Sequence, residues 1–142
     1  MLASTVGPVK ITIKAKSNNK IKKIGEAFFS AKDIPEPVFK IGSGRDSMAT
    51  VELSSQQFAR VDDSDPACWD LCNYNLDSFK LQIISKNILV LENTNIGNKH
   101  DDIIRKGFIS LMSGDLILVT NIFASLSNGR QRKAKSVIWT VY

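Results

Sequence analysis

The chain has 142 residues, of which 43% are hydrophobic, and a formal net charge of +5 at pH 7. A chain of this length typically folds without disulfides or metals, so we expect a single β-rich domain over residues 1–142. No apolar run reaches the roughly 20 residues of a membrane span, and residues 1–6 lack the pattern of a secretory signal or a lipid anchor. We therefore expect an intracellular, soluble protein that meets a membrane only peripherally.

The N-terminal part of the chain predicts a strand with a basic outer face. From Val9 to Lys16, apolar and polar residues alternate strictly, and this period of two is typical of a half-buried strand. Ser17–Asn19 predicts a turn. Residues 21–31 fit either a strand or a short helix, and the spacing of their apolar side chains favours the helix.

Short strands separated by turn residues are predicted along the rest of the chain. Apolar or β-branched runs predict strands at 38–41, 50–53, 58–61, 69–74, 79–84, 88–91, 108–112, 116–123 and 136–142. Turn residues follow many of these runs, for example at 85–87, 113–115 and 127–130. This pattern predicts an all-β or mainly β domain, a sandwich or barrel with a minor helix.

No catalytic or metal-binding pattern is recognisable in the sequence. His100 is the only histidine and lies in a polar stretch, so we expect it to be exposed in a loop. Cys68 and Cys72 are too few for a cysteine zinc site and are expected to be buried free thiols. The aspartates of 62–65 predict a loop but lack the glycine and glutamate of a calcium site. We therefore expect a protein that is not an enzyme and takes no cofactor, metal or small-molecule substrate.

Charge is distributed unevenly along the chain. Residues 1–40 and 103–142 each carry a net charge of +5, and residues 41–102 carry −5. The basic residues predicted to bind an anionic partner are Lys10, Lys14, Lys16, Lys20, Lys22, Lys23, Arg130, Arg132, Lys133 and Lys135. Like charges within such a cluster repel one another unless a partner supplies opposite charge. This favours an anionic membrane surface or RNA as the partner. A basic surface that serves only solubility is the alternative.

The same distribution predicts self-association. The acidic middle of one copy could meet a basic end of the next, a head-to-tail contact that builds open arrays.

Two segments resemble matrix proteins of rhabdoviruses and related negative-strand RNA viruses. Residues 9–13, followed by polar turn residues, are similar to the opening core strand of those proteins, and residues 108–118 are similar to a late hairpin. The resemblance implies a non-enzymatic structural protein of the virion and host cytoplasm. It also implies that the protein lies peripherally under a viral envelope, self-associates, and bridges the membrane to the nucleocapsid.

A second resemblance is to forkhead-associated domains, which bind phosphopeptides. Residues 39–45 resemble the Gly-Arg loop of that family, and residues 55–59 resemble its Ser-Arg-x-His segment, with Phe58 in place of the histidine. The resemblance implies that Arg45 and Ser55 are phosphate ligands.

A third resemblance is to oligonucleotide-binding barrels. Residues 114–117 followed by 128–130 are similar to the fourth and fifth strands of that fold. This resemblance implies a module that binds single-stranded nucleic acid.

Overall fold

The computed structural model describes residues 7–31, 34–45, 47–63 and 73–142. The chain divides into two compact units, Met1–Ile34 and Pro35–Tyr142. Of the described residues, 62% lie in strands and 11% in helices, which confirms a mainly β protein with minor helical content. That the two units form one domain stays a prediction.

The N-terminal unit is a long antiparallel hairpin. Strand β1 (Gly7–Ser17) pairs with strand β2 (Lys20–Ala31) along its whole length. The turn residues Asn18 and Asn19 both have positive φ angles, 48° and 58°. A tight two-residue hairpin turn of this kind matches the twist of the strands, and asparagine tolerates the conformation. The register shifts once, where β2 contributes Ile24 as an extra residue.

The hairpin confirms one expectation and corrects two. The strand and turn predicted over 9–19 are present, but residues 21–31 form a strand and not a helix, because pairing with β1 outweighs their helical spacing. The strand is also not half-buried. The side chains of Ile11 and Ile13 are 39% and 51% exposed, since a two-stranded ribbon has no second layer of its own.

The C-terminal unit contains eight further strands and two helices among its described residues. In chain order these are β3 (Pro37–Ile41), β4 (Ser47–Met48), α1 (Thr50–Ser55), β5 (Ala59–Asp63), β6 (Tyr74–Ser85), β7 (Ile88–Ile96), α2 (Asp102–Ile109), β8 (Leu116–Leu126), β9 (Gln131–Lys133) and β10 (Val137–Val141). The main sheet has the order β4-β10-β8-β6-β7, with β9 paired to β8, and β3 pairs with β5 in a separate sheet. Among the described pairs, β4–β10 is parallel and the others are antiparallel.

The core lies on one face of the main sheet. Alternate side chains of β6 and β8 are buried there, as the period-two pattern of these strands predicts. Strand β3 adds Phe39, whose ring lies 5.0 Å from that of Phe79, and α2 adds Ile104 and Phe108. The second sheet and both helices therefore pack against the main sheet around a single apolar cluster.

Neither helix is predicted from the sequence, and each overlaps a predicted strand. Helix α1 replaces the strand predicted at 50–53, and the strand predicted at 108–112 begins inside α2. The signals for α2 were present, because Asp101 caps the helix by accepting a hydrogen bond from the Ile104 amide at 2.9 Å. Ile104 and Phe108 are also spaced to share one helical face. Both are buried in the core.

The remaining strand predictions that fall on described residues are confirmed at 38–41, 58–61, 79–84, 88–91, 116–123 and 136–142, with boundaries that differ by a few residues. Asp62 and Asp63, predicted in a loop, end strand β5. Cys68, Cys72 and most of the strand predicted at 69–74 lie outside the described residues. No helix within the described ranges is long and apolar enough to cross a membrane.

Candidate functional site

One of the two units is strongly basic and the other has no net charge. Residues 1–34 contain seven lysines, no arginine and two acidic residues, which gives a net charge of +5. Residues 35–142 contain twelve basic and twelve acidic residues, which gives a net charge of zero. The whole net charge of the protein therefore belongs to the hairpin unit.

Most lysines of the hairpin share one face. Residues that stand opposite each other in an antiparallel pair point to the same side of the ribbon, and Lys14 stands opposite Lys23. Lys10 and Lys16 lie on that side as well, because they are an even number of residues from Lys14. This surface, the basic face, is made of Lys10, Lys14, Lys16 and Lys23. Like charges placed opposite each other repel, which favours a partner that supplies negative charge.

Glu26 neutralises part of the basic face. Its carboxylate Oε1 lies 2.7 Å from Lys10 Nζ and also contacts Lys23 Nζ. Hydrogen bonds from Lys10 and then from Lys23 hold the pKa of Glu26 below its usual range. No described residue forms an ion pair with the other four lysines of the hairpin, which are Lys14, Lys16, Lys20 and Lys22. These four are the charges most available to an external partner.

The C-terminal basic residues do not form one continuous patch. The predicted set was Arg130, Arg132, Lys133 and Lys135. Arg132 and Lys133 are adjacent in β9 and point to opposite faces, since they stand opposite Ala124 and Phe123. The Lys133 ammonium lies 6.0 Å from the Phe123 ring centroid, and Lys135 Nζ lies 3.2 Å from Glu36 Oε2. Proximity in sequence therefore does not make these residues a single binding surface.

The described acidic residues of the middle segment are largely engaged inside their own unit. Asp62 Oδ2 lies 2.9 Å from Lys40 Nζ, and Glu92 Oε1 lies 2.9 Å from Lys80 Nζ. Asp77 accepts hydrogen bonds from Ser125 and Gln131. Among the described residues, much of the negative charge of this segment is thus compensated locally. Head-to-tail self-association through this segment stays a prediction.

The glycine-rich loop at the end of β3 already holds an anion from the chain itself. The Ser43 amide donates a hydrogen bond to Glu52 Oε1 at 2.7 Å, and this bond keeps the pKa of Glu52 low. Ser55 donates its hydroxyl to the backbone carbonyl of Glu52 at 2.7 Å. Arg45 also lowers the pKa of Glu52 through its charge. The loop amide of Ser43 and the charge of Arg45 therefore already act on the Glu52 carboxylate, and the Ser55 hydroxyl is bonded to a backbone carbonyl. This makes the loop a poor candidate for a phosphopeptide site.

His100 is buried, which corrects the expectation of an exposed loop histidine. It is 2% exposed, and its ring packs edge-on against Phe79 and Phe108. Nδ1 lies 3.3 Å from the Gln56 carbonyl oxygen, while Nε2 is buried without a hydrogen-bond partner. Burial lowers the pKa of His100 below its ordinary value. The polar residues around His100 have structural roles. Asn95 accepts a hydrogen bond from the Asp101 amide, and Asp101 caps helix α2 by accepting one from the Ile104 amide.

The burial of His100 predicts that the protein loses stability at mildly acidic pH. Above about pH 6.5 the histidine is neutral in both folded and unfolded states, so its contribution is complete. Below that pH the unfolded state binds a proton that the folded state resists, and the free energy of unfolding falls by at most about 1.4 kcal/mol per pH unit. Urea unfolding at a series of pH values measures this slope.

The matched variant for this measurement is His100→Asn, whose amide can still donate to the Gln56 carbonyl. We expect its stability to be nearly constant between about pH 7 and pH 5, since the lowered pKa values of Glu26 and Glu92 act only at lower pH. An equal slope in the variant and the wild type would assign the effect to other groups.

The described residues contain no group of three His, Cys, Asp or Glu side chains placed to hold a metal ion. The comparisons with known proteins add no functional assignment. No family model matches this chain. A search of curated proteins also finds no match. Within the described part of the chain, the hairpin is where positive charge without an ion-pair partner is concentrated.

Proposed function

We propose that the protein is a non-enzymatic structural protein of the matrix type that binds an anionic membrane surface peripherally through its N-terminal hairpin. The observation that carries the proposal is that the entire net charge of +5 belongs to the hairpin unit, whereas the C-terminal unit has a net charge of zero. A site that binds through charge requires only accessible basic side chains, and the hairpin provides six lysines.

The magnitude of the electrostatic attraction supports this choice. A basic residue close to an anionic leaflet contributes about 1 kcal/mol, so the four lysines without an ion pair supply about 4 kcal/mol if all reach the surface. Screening limits the reach of exposed charge to about 8 Å at physiological salt. The hairpin can meet this limit because long lysine side chains on its basic face and at its turn end can each reach the headgroup region.

The type of basic residue favours lipid over nucleic acid. Residues 1–34 contain lysine and no arginine, whereas nucleic-acid recognition makes heavy use of the planar arginine fork for phosphates and base edges. Lysine has a flexible apolar stem that lets it lie along an apolar surface with its charge in the headgroup region. Bridging to a nucleocapsid and self-association are the further parts of this matrix-type proposal.

The test is co-sedimentation of the whole protein with vesicles. We expect binding to vesicles that contain phosphatidylserine and little binding to pure phosphatidylcholine, with affinity that falls as salt rises. Single-stranded RNA is titrated in parallel. Tight binding to RNA without binding to anionic vesicles would replace the membrane proposal by a nucleic-acid one. Binding to neither would leave the lysines as a solubilising surface and would overturn the proposal.

Removal of the one acidic group on the basic face should strengthen binding. Glu26→Gln deletes a negative charge and releases Lys10 and Lys23 from their ion pairs. We expect roughly a five-fold gain in affinity for anionic vesicles. The control is Glu92→Gln, which removes a carboxylate that is ion-paired with Lys80 in the C-terminal unit. A gain of the same size in both variants would mean that total charge, and not the hairpin, determines affinity.

A further inference from the structure

We propose that the hairpin inserts one of its two faces into the interfacial region of the anionic membrane and thereby binds by hydrophobic contact as well as by charge. This inference rests on the proposed function and specifies how the same hairpin meets the lipid. It concerns the surface opposite the basic face, which we call the apolar face, made of Val9, Ile11, Ile13, Ala27 and Phe29.

The apolar face is continuous and accessible. Val9 stands opposite Phe29, and Ile11 stands opposite Ala27, so these side chains form one surface across both strands. Ile13 is 51% exposed and Phe29 is 56% exposed. A contiguous exposed apolar surface marks a site of interaction. A two-stranded hairpin is also only marginally stable in water without a layer that covers it.

Charge decides against a second copy of the chain as the cover. Two hairpins packed through their apolar faces would bring together two units of net charge +5 each, and like-charge juxtaposition opposes association. The C-terminal unit of another copy has a net charge of zero, and described acidic residues such as Asp62 and Glu92 are ion-paired within it. An anionic lipid surface supplies both missing components, negative charge and an apolar layer beneath it.

The arrangement of lysines around the apolar face suits the membrane interface. Lys20 and Lys22 stand opposite Ser17 and Ala15, which places them on the apolar side of the ribbon, at its turn end. At its turn end, the apolar face is therefore bordered by ammonium groups that can reach lipid phosphates while the isoleucine and phenylalanine side chains enter the acyl boundary. This combination of lysines with large apolar residues is typical of elements that lie in the interface plane.

Two adjacent phenylalanines provide a matched pair of variants. Phe29 lies on the apolar face and Phe28 on the basic face, where its ring centroid is 5.6 Å from Lys10 Nζ. Phe29→Ser should lower the affinity for anionic vesicles roughly tenfold or more, because the variant loses the contact between the aromatic ring and the lipid. The loss should be most evident at high salt, where hydrophobic contact dominates. Phe28→Ser should change the affinity less than threefold, and Phe29→Leu should bind like the wild type, which separates lost contact from misfolding.

Insertion depth gives a second readout. F29W and F28W are compared with the wild type in vesicles whose acyl chains carry bromine, which quenches nearby tryptophan. We expect added quenching for F29W and little for F28W. Wild-type affinity in Phe29→Ser, or equal quenching at both positions, would overturn insertion while leaving electrostatic binding intact. Failure of the wild type to bind anionic vesicles would instead overturn the proposed function. Dissociation of a wild-type dimer by Phe29→Ser, with vesicle binding unchanged, would assign the apolar face to self-association and overturn the inference.

Discussion

Replacement of Lys14, Lys16 and Lys20 by glutamine is expected to reduce the affinity for anionic vesicles by about two orders of magnitude. None of the three lysines forms an ion pair with a described residue, so each is free to approach lipid. At about 1 kcal/mol each, their combined contribution is about 3 kcal/mol, which corresponds to roughly a hundredfold change in the dissociation constant. Co-sedimentation at low salt measures the loss.

The control changes the charge of the protein by the same amount in the other unit. Lys40, Lys80 and Lys135 are each paired with an acidic residue of the C-terminal unit, and their joint replacement by glutamine should alter vesicle affinity less than threefold. Far-ultraviolet circular dichroism should be unchanged in the hairpin variant, because its three side chains are exposed. Equal losses in the two triple variants would contradict the assignment of binding to the hairpin.

Asn95→Ala is expected to lower the free energy of unfolding by about 3 kcal/mol, the largest effect on stability that we anticipate from a polar residue. Asn95 is 1% exposed. Its Nδ2 donates to the carbonyls of Gly97 and Lys99 at 2.9 and 3.0 Å, and its Oδ1 accepts from the Asp101 amide at 2.9 Å. Each such hydrogen bond contributes about 1 kcal/mol, and the truncation leaves buried backbone groups without partners.

The effect should extend beyond the mutated residue, since the connection held by Asn95 leads into the cap of α2 and positions His100. Urea unfolding followed by circular dichroism measures the change. Asn98→Ala is the control, because Asn98 lies in the same connection with an exposed side chain and should change stability by no more than about 0.5 kcal/mol. Equal effects at both positions would show that the network of Asn95 is not what orders this segment.

Local patterns in the sequence were sufficient to predict most strands and the N-terminal turn. Strict alternation over residues 9–16 and the asparagines at 18 and 19 predict β1 and its turn, because side-chain period and turn chemistry act over a few residues. Helical spacing over residues 21–31 was misleading, since the partner strand β1 determined the conformation of that segment. The apolar run at 108–112 favours a strand, whereas the cap that Asp101 provides is the local signal for helix α2.

Side-chain environment, in contrast, was decided by tertiary structure. The alternation in β1 indicates which residues share a face, but only the number of layers around a strand determines whether that face is buried, and Ile13 is exposed for this reason. His100 is buried although its sequence neighbours are polar, because their side chains bond to the backbone and the core closes over the ring. The net charge of a sequence segment likewise does not indicate which of its charged side chains form ion pairs. Pairing depends on distance in space, so strand register brought Glu26 to Lys10 and left Lys14 without a partner.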